Sequence, residues 1–228
     1  AVGLKLYLNM TTGKLIIDDP LSVESVFQKW PKNKVIVIHA EGDKIDLALN
    51  LCERFGNKTH ITHIATKNDL QKIISAKKKK IPVTCDVTPH HLFLTHEDAE
   101  RLGGFGKVKP PLESRKDVDF LWENIRYIDC IATDHAPHTF EEKNAQDPAY
   151  GMPGLETMLP LLLTAVKQER LTINDIVRLT CSNPQKIFGF KQDDKTYIEI
   201  DLDEKYRIKN EKRNHLYGPL EILPLKEP

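Results

Sequence analysis

Carboxylate and imidazole side chains are concentrated in the segment 133–139 of this chain. Asp134 follows the apolar run 127–131, which reads as a short buried strand, and His135 and His138 come within the next four residues. A carboxylate at the end of a buried strand, with two histidines close behind it, is poorly suited to a hydrophobic core. These residue types are suited to metal-assisted proton transfer.

Ionisable side chains also occur at the ends of the other apolar runs. They are, in chain order, Lys5, His39, His60 with His63, and Asp86 followed by His90 and His91. Chemistry gathers at the carboxyl ends of the strands in parallel α/β sheets and barrels. A single strand histidine is more often a hydrogen-bonded structural residue. As a set, however, these side chains include the imidazole and carboxylate ligands that suit Zn²⁺.

Lys5 is the least expected member of this set, because its neighbours in the first run are apolar. An ammonium group is costly to bury without a partner, so the pKa of Lys5 should fall. A neutral amine can react with carbon dioxide, and the resulting carbamate is an anion able to bridge two divalent metals. Lys5, His39, His63 and Asp134 therefore form one consistent ligand set.

The elements that must position these residues alternate between strand and helix patterns. Strands are predicted over 2–8, 35–38, 59–62, 83–87 and 128–132, and helices over 21–30, 44–55, 68–78, 96–102, 115–125 and 155–168. A further helix is predicted to begin near residue 173, and another helical turn to open at 183–184 and end at 189. Five such strand–helix units predict an α/β fold with a parallel sheet. After Gly189 the pattern changes, and 196–202 alternates like one strand with an exposed face.

Composition excludes several classes of function. The 228 residues contain 33 Lys and Arg and 33 Asp and Glu, so the formal net charge is zero and favours neither a nucleic acid nor a membrane surface as a partner. No apolar run approaches the 18 residues of a membrane span. The four cysteines have no CxxC spacing, which predicts a reducing, cytoplasmic location.

Several motifs, taken together, closely resemble dihydroorotase, and nearest to it the dihydroorotase domain of animal multifunctional pyrimidine-synthesis proteins. The motifs are GLKLYLN at 3–9, IHAE at 38–41, HITH at 60–63, VTCDVTPHHLFL at 83–94 and TDHAPHT at 133–139, continued by GMPGLET at 151–157 and NPQKIF at 183–188. The resemblance covers roughly residues 1–203 in the family's order and spacing.

The resemblance implies a metal-dependent amidohydrolase fold, a (β/α)₈ barrel of the TIM type with two zinc ions. About five of the eight strand–helix units would be present, with residues 1–190 supplying strands four to eight of a partial barrel. Residues 191–228 would be the remnant of a small β-sandwich and a divergent C-terminal extension. The implied reaction is the reversible cyclisation of N-carbamoyl-L-aspartate to dihydroorotate in pyrimidine synthesis.

The resemblance also assigns roles at the metals. Lys5 would be carboxylated and bridge both zinc ions, and His39 and His63 would bind one of them. Asp134 would bind the other and shuttle the reaction's proton. Asp86 is expected beside the metal ligands rather than on the metal.

A second group of residues would serve the substrate. Asn9, Lys109 and His138 would bind it, and Thr11 would lie on a loop that closes over the site and takes part in catalysis. His90 is expected to have a structural or supporting role beside the ligands.

Two departures from the family pattern affect these expectations. The sequence contains no His-x-His pair, which dihydroorotases carry on the first barrel strand with a substrate-binding Arg just after it. Three strands, two zinc ligands and that Arg are therefore expected upstream, and we expect the 228 residues alone not to turn over dihydroorotate. Lys109 stands where an Arg or Asn is usual and cannot form a bidentate fork to a carboxylate.

Three functional readings remain open. The first is a dihydroorotase seen as part of a longer chain. The second is a noncatalytic dihydroorotase-like scaffold domain of a pyrimidine-synthesis complex, and the third is another cyclic amidohydrolase of the hydantoinase kind. The expected partners are a small-molecule substrate, further copies of the chain, and fused or associated pathway domains.

Overall fold

Five parallel strands form one sheet in the structure, a computed structural model that describes residues 1–11, 13, 15–191, 193 and 195–202. The strands are β1 (Gly3–Tyr7), β2 (Val35–His39), β3 (Thr59–Ile61), β4 (Val83–Val87) and β5 (Cys130–Ile131). The helices are α1 (Pro20–Lys29), α2 (Asp43–Phe55), α3 (Lys67–Lys78), α4 (Pro89–Phe93), α5 (His96–Leu102), α6 (Arg115–Glu123), α7 (Phe140–Lys143), α8 (Leu155–Lys167), α9 (Ile173–Val177) and α10 (Asn183–Phe188). Short 3₁₀ turns cover Gly103–Gly106 and Ile125–Tyr127, and a π-helical turn covers Arg178–Ser182.

The strand order explains why the ligand candidates meet. Each strand pairs with the next one in the chain, from β1 to β5, and every pair is parallel. A sequential order is the connectivity of a (β/α) barrel, whereas the order reverses in a doubly wound sheet. The predicted α/β barrel-type fold is confirmed, and all carboxyl ends of the strands lie at one edge.

The two faces of the sheet differ in chemistry. Leu6, Ile38 and Ile61 lie side by side in the register and are buried in the main core with residues of the helices. Because strand side chains alternate between faces, the next positions in the register, Lys5 and His60 among them, lie on the opposite face. The apolar face thus anchors the sheet and leaves the other face to carry polar groups.

Side-chain caps fix where the first helices begin. The Asp19 carboxylate accepts the Ser22 N–H at 2.9 Å, and Pro20 occupies the first helical position of α1. The Thr66 hydroxyl accepts the Asp69 N–H at 3.0 Å at the start of α3. These caps fix the first turns of α1 and α3, which follow β1 and β3 in the chain.

Two differences from the predicted elements matter for the site. The helix α4, which begins directly after Thr88, was not predicted, since five residues with two histidines show no amphipathic period. The strand predicted over 196–202 is absent from these described residues, because no neighbouring strand pairs with them there. Residues 203–228, most of the predicted second domain, lie outside the described residues.

No helix in the described part of the chain is long and apolar enough to cross a membrane.

Candidate active site

The ends of β1, β2 and β3 bring three predicted ligands together. The Nδ1 atom of His39 and the Nε2 atom of His63 lie 2.9 Å apart. The Thr62 hydroxyl lies 3.0 Å from His63 Nε2 and accepts a 2.9 Å hydrogen bond from the Lys5 ammonium. Four polar groups from three strands thus converge within hydrogen-bonding distance of one another.

The spacing of the two histidine nitrogens is close to that of two ligands on one zinc ion. Two imidazole nitrogens on one tetrahedral zinc would lie about 3.3 Å apart, given zinc–nitrogen bonds of about 2.0–2.1 Å. The Nδ1 atom of His63 and the Nε2 atom of His39 are buried without a hydrogen-bond partner among the described residues. Within that same part of the chain, no group of three or more His, Cys, Asp or Glu side chains is arranged to hold a metal. Lys5 would have to supply the third ligand.

The environment of Lys5 lowers the pKa of its amine. Its side chain is exposed rather than buried, because strand alternation places it opposite Leu4 and Leu6 and β1 has a neighbour on one side only in the described sheet. Desolvation by the surrounding atoms nevertheless lowers its pKa, and the charges of Asp86 and Asp134 partly oppose that shift. A lowered amine pKa increases the share of amine that can react with carbon dioxide.

Asp86 organises the histidines of β3. Its two oxygens accept the His60 Nε2 proton at 2.8 Å and the His63 backbone N–H at 2.6 Å. The second bond holds His63 at a φ of 40°, in the left-handed region that non-glycine residues rarely adopt. Burial lowers the pKa of His63 well below 6.5, helped by the nearby His39 and Lys5. Asp86 thus contacts His60 and His63, and its predicted supporting role beside metal ligands stays a prediction.

Replacing Asp86 with alanine should destabilise the fold. The change leaves the His60 ring and the His63 N–H without an acceptor in a buried site, which should cost about 2–5 kcal/mol in free energy of unfolding. Urea denaturation of the two proteins measures it. Asp86→Asn keeps one acceptor oxygen and should lose less, and equal stability of wild type and Asp86→Ala would show that these two bonds do not support the site.

Asp134 ends the fifth strand within electrostatic reach of the cluster. Desolvation raises its pKa, as does Asp86, whereas Lys5 and His39 lower it. Its φ of 43° is also in the left-handed region and turns the chain sharply after β5. The raised pKa brings this carboxyl nearer to the range in which a carboxylate exchanges protons at neutral pH.

Both histidines of α4 are buried. Burial lowers the pKa of His91 to about 4, and its ring lies 2.7 Å from the Thr88 hydroxyl and 3.1 Å from the Pro110 carbonyl. Burial and the neighbouring His91 also lower the pKa of His90 well below 6.5. The His90 Nε2 atom has no hydrogen-bond partner among the described residues.

Acidification should therefore destabilise the protein between pH 6.5 and about 4. In this pH range the unfolded state binds protons at His90 and His91, whereas the folded state keeps both buried rings unprotonated. The free energy of unfolding therefore falls as pH drops through the range. Above pH 6.5 these two groups do not change the free energy of unfolding with pH. Each histidine adds up to about 1.4 kcal/mol per pH unit. Urea titrations at pH 7, 6 and 5 measure the slope. His90→Gln should flatten it, whereas His96→Gln, at an exposed site, should not.

Glu41 connects three predicted residues that lie far apart in the sequence. Its carboxylate is 3.3 Å from His39 Nε2 and 3.3 Å from the Lys109 ammonium, and its backbone N–H donates to Asn9 Oδ1 at 2.8 Å. Burial opposes its ionisation, but hydrogen bonding to His39 and Lys109 and their charges outweigh burial and lower the pKa of Glu41. Lys109 and Asn9 are thus placed next to the histidine pair.

The structure gives His138 and Thr11 contacts within their own loops. The His138 ring lies 2.9 Å from the Tyr150 carbonyl and 3.4 Å from the Glu142 carboxylate. The Thr11 hydroxyl accepts the Gly13 N–H at 3.4 Å. Their predicted roles towards substrate remain predictions.

Sequence reasoning missed Lys143, which fastens the His138 loop. Lys143 is buried, and its ammonium donates to the carbonyls of Lys107, Ala149 and Gly151 at 3.2, 2.8 and 2.8 Å. It therefore ties the segment before Lys109 to the segment after His138. Its surroundings in the sequence are polar and gave no sign of burial.

Comparisons with known proteins agree with this geometry. No family model matches the chain. It is 49% identical over 209 residues to the multifunctional protein CAD of Squalus acanthias, covering 91% of this chain and 9% of that protein. It is 42% identical over 193 residues to the dihydroorotase of Pyrococcus horikoshii, covering 82% of this chain and 44% of that one. The chain spans less than half the length of either relative.

Two solved structures share the fold. The inactive dihydroorotase-like domain of the Chaetomium thermophilum CAD-like multifunctional protein superposes with a TM-score of 0.78 and 28% identity, over 92% of this chain and 60% of that one. The L-hydantoinase of Arthrobacter aurescens gives a TM-score of 0.78 and 27% identity, over 83% and 51%.

Fold and comparisons together define an amidohydrolase-type barrel protein. Within that class the chain is similar in sequence to proteins named dihydroorotase and to multifunctional CAD proteins, and the resemblance drawn from its motifs is confirmed.

Proposed function

We propose that this chain carries most of a dihydroorotase site, which interconverts N-carbamoyl-L-aspartate and dihydroorotate in pyrimidine synthesis. The observation that carries the proposal is the convergence of His39, His63 and Lys5 at three adjacent strand ends, with Asp134 in electrostatic reach. Its sequence relatives include proteins named dihydroorotase, which supports this reaction over other amidohydrolase reactions.

Two zinc ions are the proposed cofactors, held by carboxylated Lys5, by His39 and His63, and by Asp134. When bound, zinc supplies a Lewis acid for the reacting carbonyl and lowers the pKa of water. Asp134 accepts and returns the proton, a role that suits a carboxyl with a raised pKa. The absent His-x-His pair leaves the zinc held by Asp134 without two of its ligands.

The substrate carboxylate is proposed to pair with Lys109, with Asn9 and His138 completing the pocket and Thr11 on the loop over it. Lys109 is half-buried and has one counter-charge in Glu41, 3.3 Å away. An ammonium in this setting attracts an anion but binds it as a point charge, without the fixed fork of an arginine.

A noncatalytic scaffold is the second candidate, and two observations favour it. The chain has no His-x-His pair, and a solved relative of 28% identity is described as an inactive dihydroorotase-like domain. A hydantoinase-like activity is a third, favoured by the L-hydantoinase neighbour. Fusion to other pathway domains, assembly with further copies and a cytoplasmic location complete the proposal. The CAD relatives support the fusion, and the absence of CxxC spacing among the four cysteines supports the location.

Two measurements test the proposal: zinc content and dihydroorotate hydrolysis. Both are made on the 228-residue chain and on a longer polypeptide that supplies the His-x-His strand. The chain alone should bind zinc at the His39–His63 pair without hydrolysing dihydroorotate, and the longer protein should bind two zinc ions and hydrolyse it. Two zinc ions without turnover would establish the scaffold instead. Turnover of hydantoin in preference to dihydroorotate would establish the third candidate.

A further inference from the structure

Glu41 contacts three of the predicted site residues, Asn9, His39 and Lys109. Its two carboxylate oxygens face different partners, His39 Nε2 and Lys109 Nζ, each at 3.3 Å. Its backbone N–H is held by the Asn9 side chain at 2.8 Å, which fixes the start of the side chain. With 21% of its side chain exposed, Glu41 is enclosed between three elements rather than free in solvent.

The two nitrogens of His39 point in different directions. Nδ1 lies 2.9 Å from His63 Nε2, on the side of Lys5 and Thr62, whereas Nε2 faces the Glu41 carboxylate. His39 Nε2 and Glu41 Oε1 are both buried, lie 3.3 Å apart and have no hydrogen-bond partner among the described residues, so each is the nearest group available to satisfy the other. An ionised carboxylate only accepts, so the pair is satisfied when the imidazole proton is on Nε2.

We propose that Glu41 is a positioning residue that fixes the tautomer and orientation of His39 for zinc and holds Lys109 beside it. A metal-binding histidine commonly donates its second N–H to a carboxylate, which orients the ring and makes the first nitrogen a better ligand. With its proton on Nε2, His39 presents the Nδ1 lone pair to the position it shares with His63 Nε2.

The same carboxylate influences the proposed anion site. Glu41 neutralises part of the Lys109 charge, so its removal should weaken zinc binding and, independently, strengthen anion binding at Lys109. A residue that only stabilised the fold would weaken both. The inference rests on the proposed zinc site, and opposite changes in the two affinities are its signature.

Zinc affinity of the 228-residue chain, measured by competition with a chromophoric chelator, tests the first half. Glu41→Ala should weaken zinc binding about 10–100-fold, and Glu41→Gln, which keeps a neutral acceptor oxygen, should weaken it less. Glu24→Gln is the matched control, because Glu24 is similarly enclosed at 25% exposure but pairs with Arg54 away from the histidines. It should leave the affinity unchanged.

Nitrogen-15 spectra of histidine-labelled, zinc-free protein test the tautomer directly. His39 should carry its proton on Nε2 in the wild type and in Glu24→Gln, and lose that preference in Glu41→Ala. Glu41→Leu keeps much of the side-chain volume but cannot accept a hydrogen bond, so it provides the same readout if the alanine variant does not fold. Binding of N-carbamoyl-L-aspartate, followed by calorimetry, should tighten severalfold in Glu41→Gln.

The outcomes separate this inference from the proposed function. A wild-type chain that binds no zinc overturns both. Suppose that the wild type binds zinc, and that Glu41→Ala and Glu41→Gln bind it with the same affinity as the wild type and keep its His39 tautomer. That result overturns the role of Glu41 alone. Weakening of both zinc and anion binding assigns Glu41 to the fold and likewise overturns the inference.

Discussion

Asp134→Asn should reduce dihydroorotate turnover about 10²–10⁴-fold in the zinc-loaded protein that supplies the His-x-His strand, while the substrate KM changes little. Asparagine has nearly the same shape as aspartate but cannot accept the reaction's proton. The carboxyl of Asp134, three residues after β5, is the proposed proton carrier because desolvation by neighbouring atoms and the charge of Asp86 raise its pKa, although its side chain is exposed. Steady-state assays in both directions of the reaction measure the loss.

Asp147→Asn is the matched control for this substitution. Asp147 lies in the loop that follows Asp134, its side chain is 94% exposed, and it pairs with Lys107. The control should retain wild-type turnover and zinc content. If Asp134→Asn kept more than a tenth of wild-type turnover at full zinc occupancy, another group would carry the proton.

The ligand positions could be predicted because the strand pattern is local. A parallel strand is a short apolar run, and its carboxyl end is readable to within a residue or two, so His39 and the end of β3 were placed correctly. Parallel pairing then brings consecutive strand ends together without knowledge of any side-chain contact. The meeting of His39 with His63 follows from this rule.

The contacts that orient these ligands could not be predicted in the same way. Glu41 joins Asn9, His39 and Lys109, which are separated by up to 100 residues, and no periodicity records such a meeting. Lys143 lies on a helix of four residues, and its buried ammonium is surrounded by three backbone carbonyls. Backbone carbonyls are the same for every residue type, so the sequence does not show that they meet at Lys143. Tertiary packing decides both positions.

The exposure of Lys5 shows how a local pattern can mislead. Apolar neighbours suggested a buried amine, but alternation along β1 places Leu4 and Leu6 on one face and Lys5 on the other. The shift in its pKa survives because atoms of Tyr7 and Thr62 surround the ammonium, at 5.1 Å from the ring centre and 2.9 Å from the hydroxyl. The lowered pKa of Lys5 thus arises on the polar face of the sheet and not in the core.

Lys5→Met should abolish stoichiometric zinc binding at the His39–His63 pair and, in the longer protein, all measurable turnover. Methionine fills a similar volume but cannot form a carbamate, so the pair would keep two ligands where tetrahedral zinc needs four. Zinc per chain after dialysis, measured by atomic emission, gives the first result. Incubation of the wild type with ¹³C-bicarbonate should give a carbamate signal in the carbon spectrum that Lys5→Met lacks.

Lys58→Met is the control, because Lys58 is exposed just before β3, at the opposite end of the strand from His63. It should keep wild-type zinc, carbamate signal and stability. Zinc retained by Lys5→Met at the wild-type level would remove Lys5 from the ligand set. Since His39 and His63 lie 2.9 Å apart, the bound zinc would then need its remaining ligands from water or from outside the described residues.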